Sequence, residues 1–444
     1  MRHAEPIDRE ALATRFPPGF TWGAATAAYQ IEGAPLADGK GPSIWDVFCR
    51  VPGAIANGDT GDLACDHYRR YREDVALMAE LGLGAYRFSV SWPRVVPTGA
   101  GAANEAGLDF YDRLVDELLA RGIRPLVTLY HWDLPQALQD RGGWTSDEIP
   151  GWFGAYAAIV ADRLGDRVRD WIAINEPGVV AWIGHLEGRH APGIRDFGTA
   201  VAAAHHVLLA HREGATAIRA ANGDARVGIA VDLRPVHPAT DAPEDADAAR
   251  LLDAHQNRWF LDPLFGRGYP AELVERLGPL APPPLDGYDG DLDFLGANYY
   301  TRHRARPGPG PIGAEMVRPR DVPRTDMGWE VYPDGLRELL VRLADDYGPL
   351  PLLVTENGAA FGDDACRLDY LARHLDAAAG AIEAGVPLEG YFVWSLLDNF
   401  EWAEGYAKRF GIVEVDYATQ RRAVRASGRW YANLIRDWRR VAAR

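Results

Sequence analysis

The stretch Trp171-Ile172-Ala173-Ile174-Asn175-Glu176-Pro177 sets four apolar residues directly against an amide and a carboxylate. A short apolar run of this kind reads as a strand buried on both faces. A second stretch, Leu352-Leu353-Val354-Thr355-Glu356-Asn357-Gly358, repeats the arrangement. Burying a charge is costly, so a Glu at the mouth of a hydrophobic strand reads as a working group rather than a packing choice. Two such strand ends far apart in the chain require a scaffold that brings them together.

Working outward, six further runs have the same character: Phe20–Ala25, Ala85–Val90, Arg124–Leu129, Val227–Val231, Phe294–Ala297 and Gly390–Trp394. Helix-like segments lie between the strands, among them Glu105–Arg121, Glu148–Leu164, Gly198–Ala221 and Gly335–Tyr347. Alternation of strand and helix implies parallel strands joined by crossovers, and eight repeats imply a closed α/β barrel, a (β/α)8 TIM barrel. The polar and aromatic residues fall just after the strands, at the carboxyl-end face that carries the active site in this architecture. Pro- and Gly-rich stretches at 234–244, 281–290 and 304–323 read as extended rim loops, so residues 1–444 form one domain, with 1–15 a poorly ordered N-terminal segment.

Composition narrows the function classes. The chain has 444 residues, 47% of them hydrophobic, enough for a large core, and a net charge of −16 that argues against nucleic acid or an anionic membrane surface as partner. No apolar run reaches the roughly 20 residues needed to span a bilayer. The polar start Met1-Arg2-His3-Ala4-Glu5-Pro6 has no apolar h-region, so a cytoplasmic location is expected. Cys49, Cys65 and Cys366 are an odd set without metal-ligand spacing, which fits free thiols in a reducing compartment. His205, His206 and His211 miss the i, i+4 pairing of a helical zinc motif and read as a helix surface. Gly39-Lys40-Gly41 lacks the Ser or Thr of a phosphate loop. No metal and no cofactor are expected; the partner is a small molecule, and the chain a monomer or homo-oligomer.

Six segments in order carry a family resemblance. They are Phe20-Thr21-Trp22-Gly23-Ala24-Ala25-Thr26-Ala27-Ala28-Tyr29-Gln30-Ile31-Glu32-Gly33, Thr128-Leu129-Tyr130-His131-Trp132-Asp133-Leu134-Pro135, Asn175-Glu176-Pro177, Asn298-Tyr299-Tyr300, Thr355-Glu356-Asn357-Gly358 and Trp394-Ser395-Leu396-Leu397-Asp398-Asn399-Phe400-Glu401-Trp402. Over nearly its whole length the chain resembles a glycoside hydrolase family 1 β-glucosidase. The resemblance implies a β-glycoside substrate, Glu356 as nucleophile and Glu176 as general acid/base. It also assigns Gln30, His131, Asn175, Trp394, Glu401 and Trp402 to the glycone, with Asn175 on the 2-hydroxyl, and Trp329 to the aglycone wall. Trp132, Asn298 and Tyr300 join the substrate-binding set.

Elementary chemistry points the same way. A nucleophilic Glu356 must be ionised, which Arg87 and the Tyr300 hydroxyl can support. Glu176 must be protonated, and a neighbouring anion raises its pKa in that direction. A retaining mechanism expects the two carboxyl groups roughly 5–5.5 Å apart. Trp22, Trp45 and Trp259 read as packing. Relatives acting on 6-phospho sugars place a Ser, then a Lys-Tyr pair, after the eighth strand. Here Glu401 stands at the Ser-like position, and its charge is expected to repel phosphate. A galactoside or fucoside preference and transglycosylation stay open. A non-catalytic sugar-binding relative would lack one carboxylate, and a thioglucosidase often carries Gln at the position of Glu176. The stretch after Glu356 is shorter than is common in the family, which is expected to open the rim.

Overall fold

The computed structural model describes residues 7–443. Its centre is a closed barrel of eight parallel strands, β1 (Thr21–Ala25), β2 (Ala85–Ser89), β3 (Arg124–Tyr130), β4 (Asp170–Asn175), β5 (Arg226–Asp232), β6 (Phe294–Asn298), β7 (Leu352–Asn357) and β8 (Leu388–Trp394). Each strand pairs with its neighbours in sequence, and β8 closes on β1 through Thr21 opposite Gly390 to Ala25 opposite Trp394. The fold expected from the sequence is therefore the fold observed. β2, β4, β6 and β7 are buried along their whole length, as a barrel strand between core and helices must be.

The crossovers are amphipathic. In Glu105–Ala120 the buried residues Leu108, Tyr111, Leu114, Val115 and Leu118 recur at helical spacing and turn one stripe toward the barrel. Ile149–Leu164, Phe197–Ala221 and Asp334–Tyr347 occupy the positions expected from the sequence. Ala426–Ala442 then packs Tyr431, Leu434 and Ile435 inward, and the Tyr431 hydroxyl donates to the carbonyls of Gly23 in β1 (3.0 Å) and Tyr391 in β8 (3.2 Å). No helix among the described residues is long and apolar enough to cross a membrane.

Three sequence expectations change. Residues 1–6 of the N-terminal segment lie outside the described residues, but Arg9–Ala13 is a helix capped by Asp8, with Leu12 and Ala13 buried. The rim stretches are not plain loops: Val236–Pro238, His303–Pro307 and Ala314–Val317 form a three-stranded sheet at the carboxyl end of the barrel, where strands of three to five residues are too short to give a periodic signal. The three histidines are not a helix surface, since His205, His206 and His211 are 8%, 9% and 0% exposed. Each engages a neighbour through a ring nitrogen, Tyr269, the Trp144 carbonyl or the Gly290 carbonyl. The connection after β7 is itself braced, with the Gly362 N–H donating to Asp326 (2.7 Å) and Arg367 donating to the Phe361 carbonyl (2.6 Å). All three cysteines are free thiols. Trp22, Trp45 and Trp259, at 2%, 0% and 0% exposure, are packing residues as expected.

Candidate active site

The strands that carry the two carboxylates are irregular where they end. Pairing of β4 with β5 slips between Ile172 and Asn175, and pairing of β7 slips between Val354 and Glu356 on one side and Val354 and Asn357 on the other. Such slips re-aim side chains that would otherwise alternate strictly across the sheet. Glu176 adopts φ 49°, and Trp132 and Trp402 adopt 79° and 50°. Each left-handed non-glycine residue costs about 1–3 kcal/mol, so three on one cavity mark a place where the surrounding fold imposes its geometry.

Arg87, from the middle of β2, ties both strand ends together. Its guanidinium donates to Glu356 Oε1 (2.5 Å), to the Thr355 carbonyl (3.1 Å) and to Asn175 Oδ1 (2.5 Å). The Tyr300 hydroxyl donates to the other Glu356 oxygen at 2.6 Å. Glu176 has a leaner environment, accepting from the Asn298 amide at 2.7 Å. Asn298 cannot turn away, because its carbonyl accepts from the Thr355 hydroxyl at 2.6 Å. Both carboxylates are nearly inaccessible, at 5% and 3% exposure.

These surroundings split the pair electrostatically. Burial, then the charge of Glu356, pushes Glu176 up to about 8. Burial also raises Glu356, but Arg87 and then the Tyr300 hydroxyl pull it back. The shared negative charge therefore rests on Glu356. Tyr300, raised well above the usual phenol range by burial and then Glu356, stays a hydrogen-bond donor.

The two groups face a cavity of 510 Å³ whose lining includes His131, Trp132, Asn298, Tyr300, Trp329, Trp394, Glu401 and Trp402. Gln30, Asn175 and Arg87 stand behind this lining and brace it. Gln30 donates its amide to Asn399 Oδ1 (2.9 Å) and the Phe400 carbonyl (2.8 Å), with Glu401 at 3.4 Å, so only its buried carbonyl oxygen has no partner. His131 Nε2 lies 3.0 Å from the Asn175 amide nitrogen and accepts from it, which places the ring proton on the buried, unpartnered Nδ1. Burial, then Arg87, holds that ring neutral. The rings of His131 and Trp394 stack with centroids 5.8 Å apart, while Trp402 lies 4.6 Å from both Trp132 and Trp45. Trp329 stands farther out, 5.4 Å from Tyr300 and 6.2 Å from Phe410.

Glu401 departs from expectation. Burial, then Glu356, pushes its carboxyl up to about 8, so the group is largely uncharged at neutral pH. The repulsion of phosphate expected from its charge is weakened accordingly. Gly358 has a steric reason, since a Cβ there would lie 1.6 Å from the Trp394 carbonyl oxygen. Several lining residues give no readable signal in the sequence, notably Trp182, His255, Arg302 and Glu330. Trp182 belongs to a π-helical segment, Val179–Glu187, directly after Glu176, and the others sit in or beside rim elements without a motif. Arg234, just past the end of β5, has the position that marks the other site residues and could have been found by it. Among the described residues no group of His, Cys, Asp and Glu is placed to hold a metal.

Comparison with known proteins places this geometry in a family. Residues 12–439 match the model of glycosyl hydrolase family 1. The chain is 48% identical over 440 residues to Beta-glucosidase A of Thermotoga maritima, covering 95% of this chain and 98% of that protein. It is 44% identical to the bifunctional beta-D-glucosidase/beta-D-fucosidase of Bifidobacterium breve, with 95% and 98% covered. The solved structure of the T. maritima beta-glucosidase in complex with deoxynojirimycin superposes with a TM-score of 0.92 at 48% identity, over 95% of this chain and 99% of that one. A barrel with two Glu at the ends of β4 and β7, matched along nearly its whole length, belongs to glycosyl hydrolase family 1, and the protein is a glycoside hydrolase.

Proposed function

We propose that the enzyme is a retaining, exo-acting β-glucosidase that removes terminal β-D-glucosyl residues from short oligosaccharides or aryl glucosides. The observation that carries this reading is the unequal pair: Glu356 clamped by Arg87 and Tyr300, and Glu176 raised to about 8 beside it. In the first step a Glu356 oxygen attacks the anomeric carbon, the glycosidic C–O bond breaks, and the Glu176 proton passes to the departing oxygen. Loss of the Glu356 charge in the ester removes the anion that held the Glu176 proton. Glu176 then accepts a proton from water as the water oxygen attacks the anomeric carbon and frees Glu356.

The remaining site residues fit the glycone. The Gln30 carbonyl, the His131 Nδ1–H and the largely neutral Glu401 present an acceptor, a donor and a group with both capacities at one end of the cavity. Trp394 supplies a flat apolar surface for a sugar C–H face. Trp329 supports the aglycone side. The names of the relatives, glucosidases and a glucosidase/fucosidase, support glucose as the glycone with fucosides as a side activity. Passage through a glycosyl ester permits transfer to an alcohol in place of water.

The test is proton NMR of para-nitrophenyl β-glucoside hydrolysis in its first minutes, with the β-galactoside and β-fucoside assayed in parallel. Appearance of β-glucose before mutarotation supports the double displacement. Appearance of α-glucose would sink it, and no hydrolysis of any of the three would remove the glycosidase substrate class proposed.

A further inference from the structure

One wall of the cavity is cationic in a chain whose net charge is −16. Six arginines line it, contributed by segments that follow β4, β5 and β6. Four are matched by acids on the same wall: Arg189 by Glu187 (3.3 Å), Arg234 by Asp232, and both Arg302 (2.7 Å) and Arg304 (3.8 Å) by the single Glu330. Arg318 and Arg324 have no carboxylate within 4.0 Å among the described residues. The remaining acid of the mouth, Glu404, follows β8 on another wall and pairs with neither.

The two unmatched arginines line the cavity together with apolar residues. Arg324 lies on the short ladder that carries Trp329: its backbone bridges Glu330, the Thr325 N–H donates to the Trp329 carbonyl at 2.9 Å, and its own side chain donates to the Pro319 carbonyl. Arg318 directly follows the rim strand Ala314–Val317, whose Met316 and Val317 also line the cavity, as does Met327. The field reaches inward. The half-buried imidazole of His303 is kept neutral by desolvation and then by the guanidiniums of Arg234 and Arg318.

Building on the glucosidase reading, we propose that the aglycone region selects planar aromatic glucosides that carry a carboxylate, with Trp329 and the rim methionines against the ring and Arg318 and Arg324 on the charge. A guanidinium offers a planar fork of donors that matches a carboxylate, and a neutral sugar or alkyl aglycone leaves both charges unpaired. Three acids beside the other four arginines offset all but one of their charges, which leaves most of the excess on Arg318 and Arg324.

The experiment compares 4-carboxyphenyl and 4-carbamoylphenyl 1-thio-β-D-glucoside as competitive inhibitors of para-nitrophenyl β-glucoside hydrolysis. The pair is nearly isosteric and differs by one charge. The acid is expected to bind about fivefold more tightly at low ionic strength. That advantage is expected to shrink in about 1 M NaCl, where the screening length falls to roughly 3 Å. In Arg318→Gln/Arg324→Gln the ratio of the two inhibition constants is expected to approach one, with the amide measured on the same variant as the internal reference. Arg318→Gln alone, at an exposed position, gives an intermediate ratio and serves if the double variant fails to fold. Equal constants in the parent enzyme, or an acid preference unchanged in the variants, would overturn the proposal and leave the glucosidase reading intact. If the nitrophenyl glucoside is not hydrolysed, that reading fails instead, and calorimetric binding of the same two thioglucosides still decides the charge preference.

Discussion

Glu176 and Glu356 occupy equivalent places, each at the carboxyl end of a buried barrel strand, yet their surroundings differ sharply. Glu356 receives a guanidinium and a phenol within 2.6 Å, whereas Glu176 receives one amide. Burial disfavours the charged form of both, but only Glu356 accepts a hydrogen bond from a cation; the charges of Arg234 and Arg87 act on Glu176 without such a contact and rank behind burial and the Glu356 anion. The lesson is that two carboxyl groups of one chemistry take opposite protonation states because their neighbours from other strands differ. Arg87 lies in β2 and Tyr300 just after β6, so the distinction is written in residues distant in sequence from either carboxylate.

The comparison can be broken most severely by deleting the charged member. Glu356→Ala should lower kcat for para-nitrophenyl β-glucoside by at least ~10⁴-fold, measured under saturating substrate, because no other side chain can form the ester. Retention of more than a few per cent of activity would mean that the nucleophile is elsewhere.

A smaller loss is expected at the other member, and its size should depend on the leaving group. Glu176→Gln should cost about 10²–10⁴-fold on cellobiose, whose leaving alkoxide needs a proton, and far less on 2,4-dinitrophenyl β-glucoside. The pH profile sharpens the same point. The acid form of Glu176 is the active one, so kcat/KM of the parent should fall as pH rises through about 8, and that alkaline limb should be missing in Glu176→Gln. An identical alkaline limb in the variant would assign it to another group.

Tyr300→Phe tests the compensation directly. Removing one hydrogen bond to a buried charge costs about 1.5–3 kcal/mol of ionised Glu356. The acidic limb of kcat/KM should therefore move to higher pH, since the nucleophile then loses its proton later. A fall in rate with an unmoved acidic limb would make Tyr300 a substrate contact only.

The smallest effect concerns stability. Glu176 binds its proton more tightly folded than unfolded, so its contribution is fully present below the ordinary carboxyl range and is lost as pH rises toward about 8. Glu176→Gln should accordingly melt ~1–3 °C higher than the parent at pH 9 and gain less at pH 5. Calorimetry showing the reverse order would contradict the electrostatic account of this pocket.

The barrel and its working face are legible in the chain itself. Eight apolar runs define the barrel because a strand buried on both faces has little choice but an apolar composition, and the polar residues following them mark the face that works. The rim is not legible in the same way. Val236–Pro238, His303–Pro307 and Ala314–Val317 are only three to five residues long, the first two containing Pro, and become strands only because they pair with one another. The burial of His205, His206 and His211 escapes a reading of the sequence because a polar residue on a long helix gives no sign that a loop will cover it.

Within the site, the sequence by itself determined which side chains are available: two glutamates at strand ends, aromatic plates, and amides at matched positions. Their protonation states and duties belong to the tertiary structure. It sets Arg87 against Glu356 rather than Glu176, engages the Gln30 amide with Asn399 and Phe400, and leaves Glu401 buried and largely neutral. The reason is physical: a residue type fixes which protons and lone pairs exist, but their energies follow from burial and from charges a few ångströms away, brought there by strands far apart in the chain.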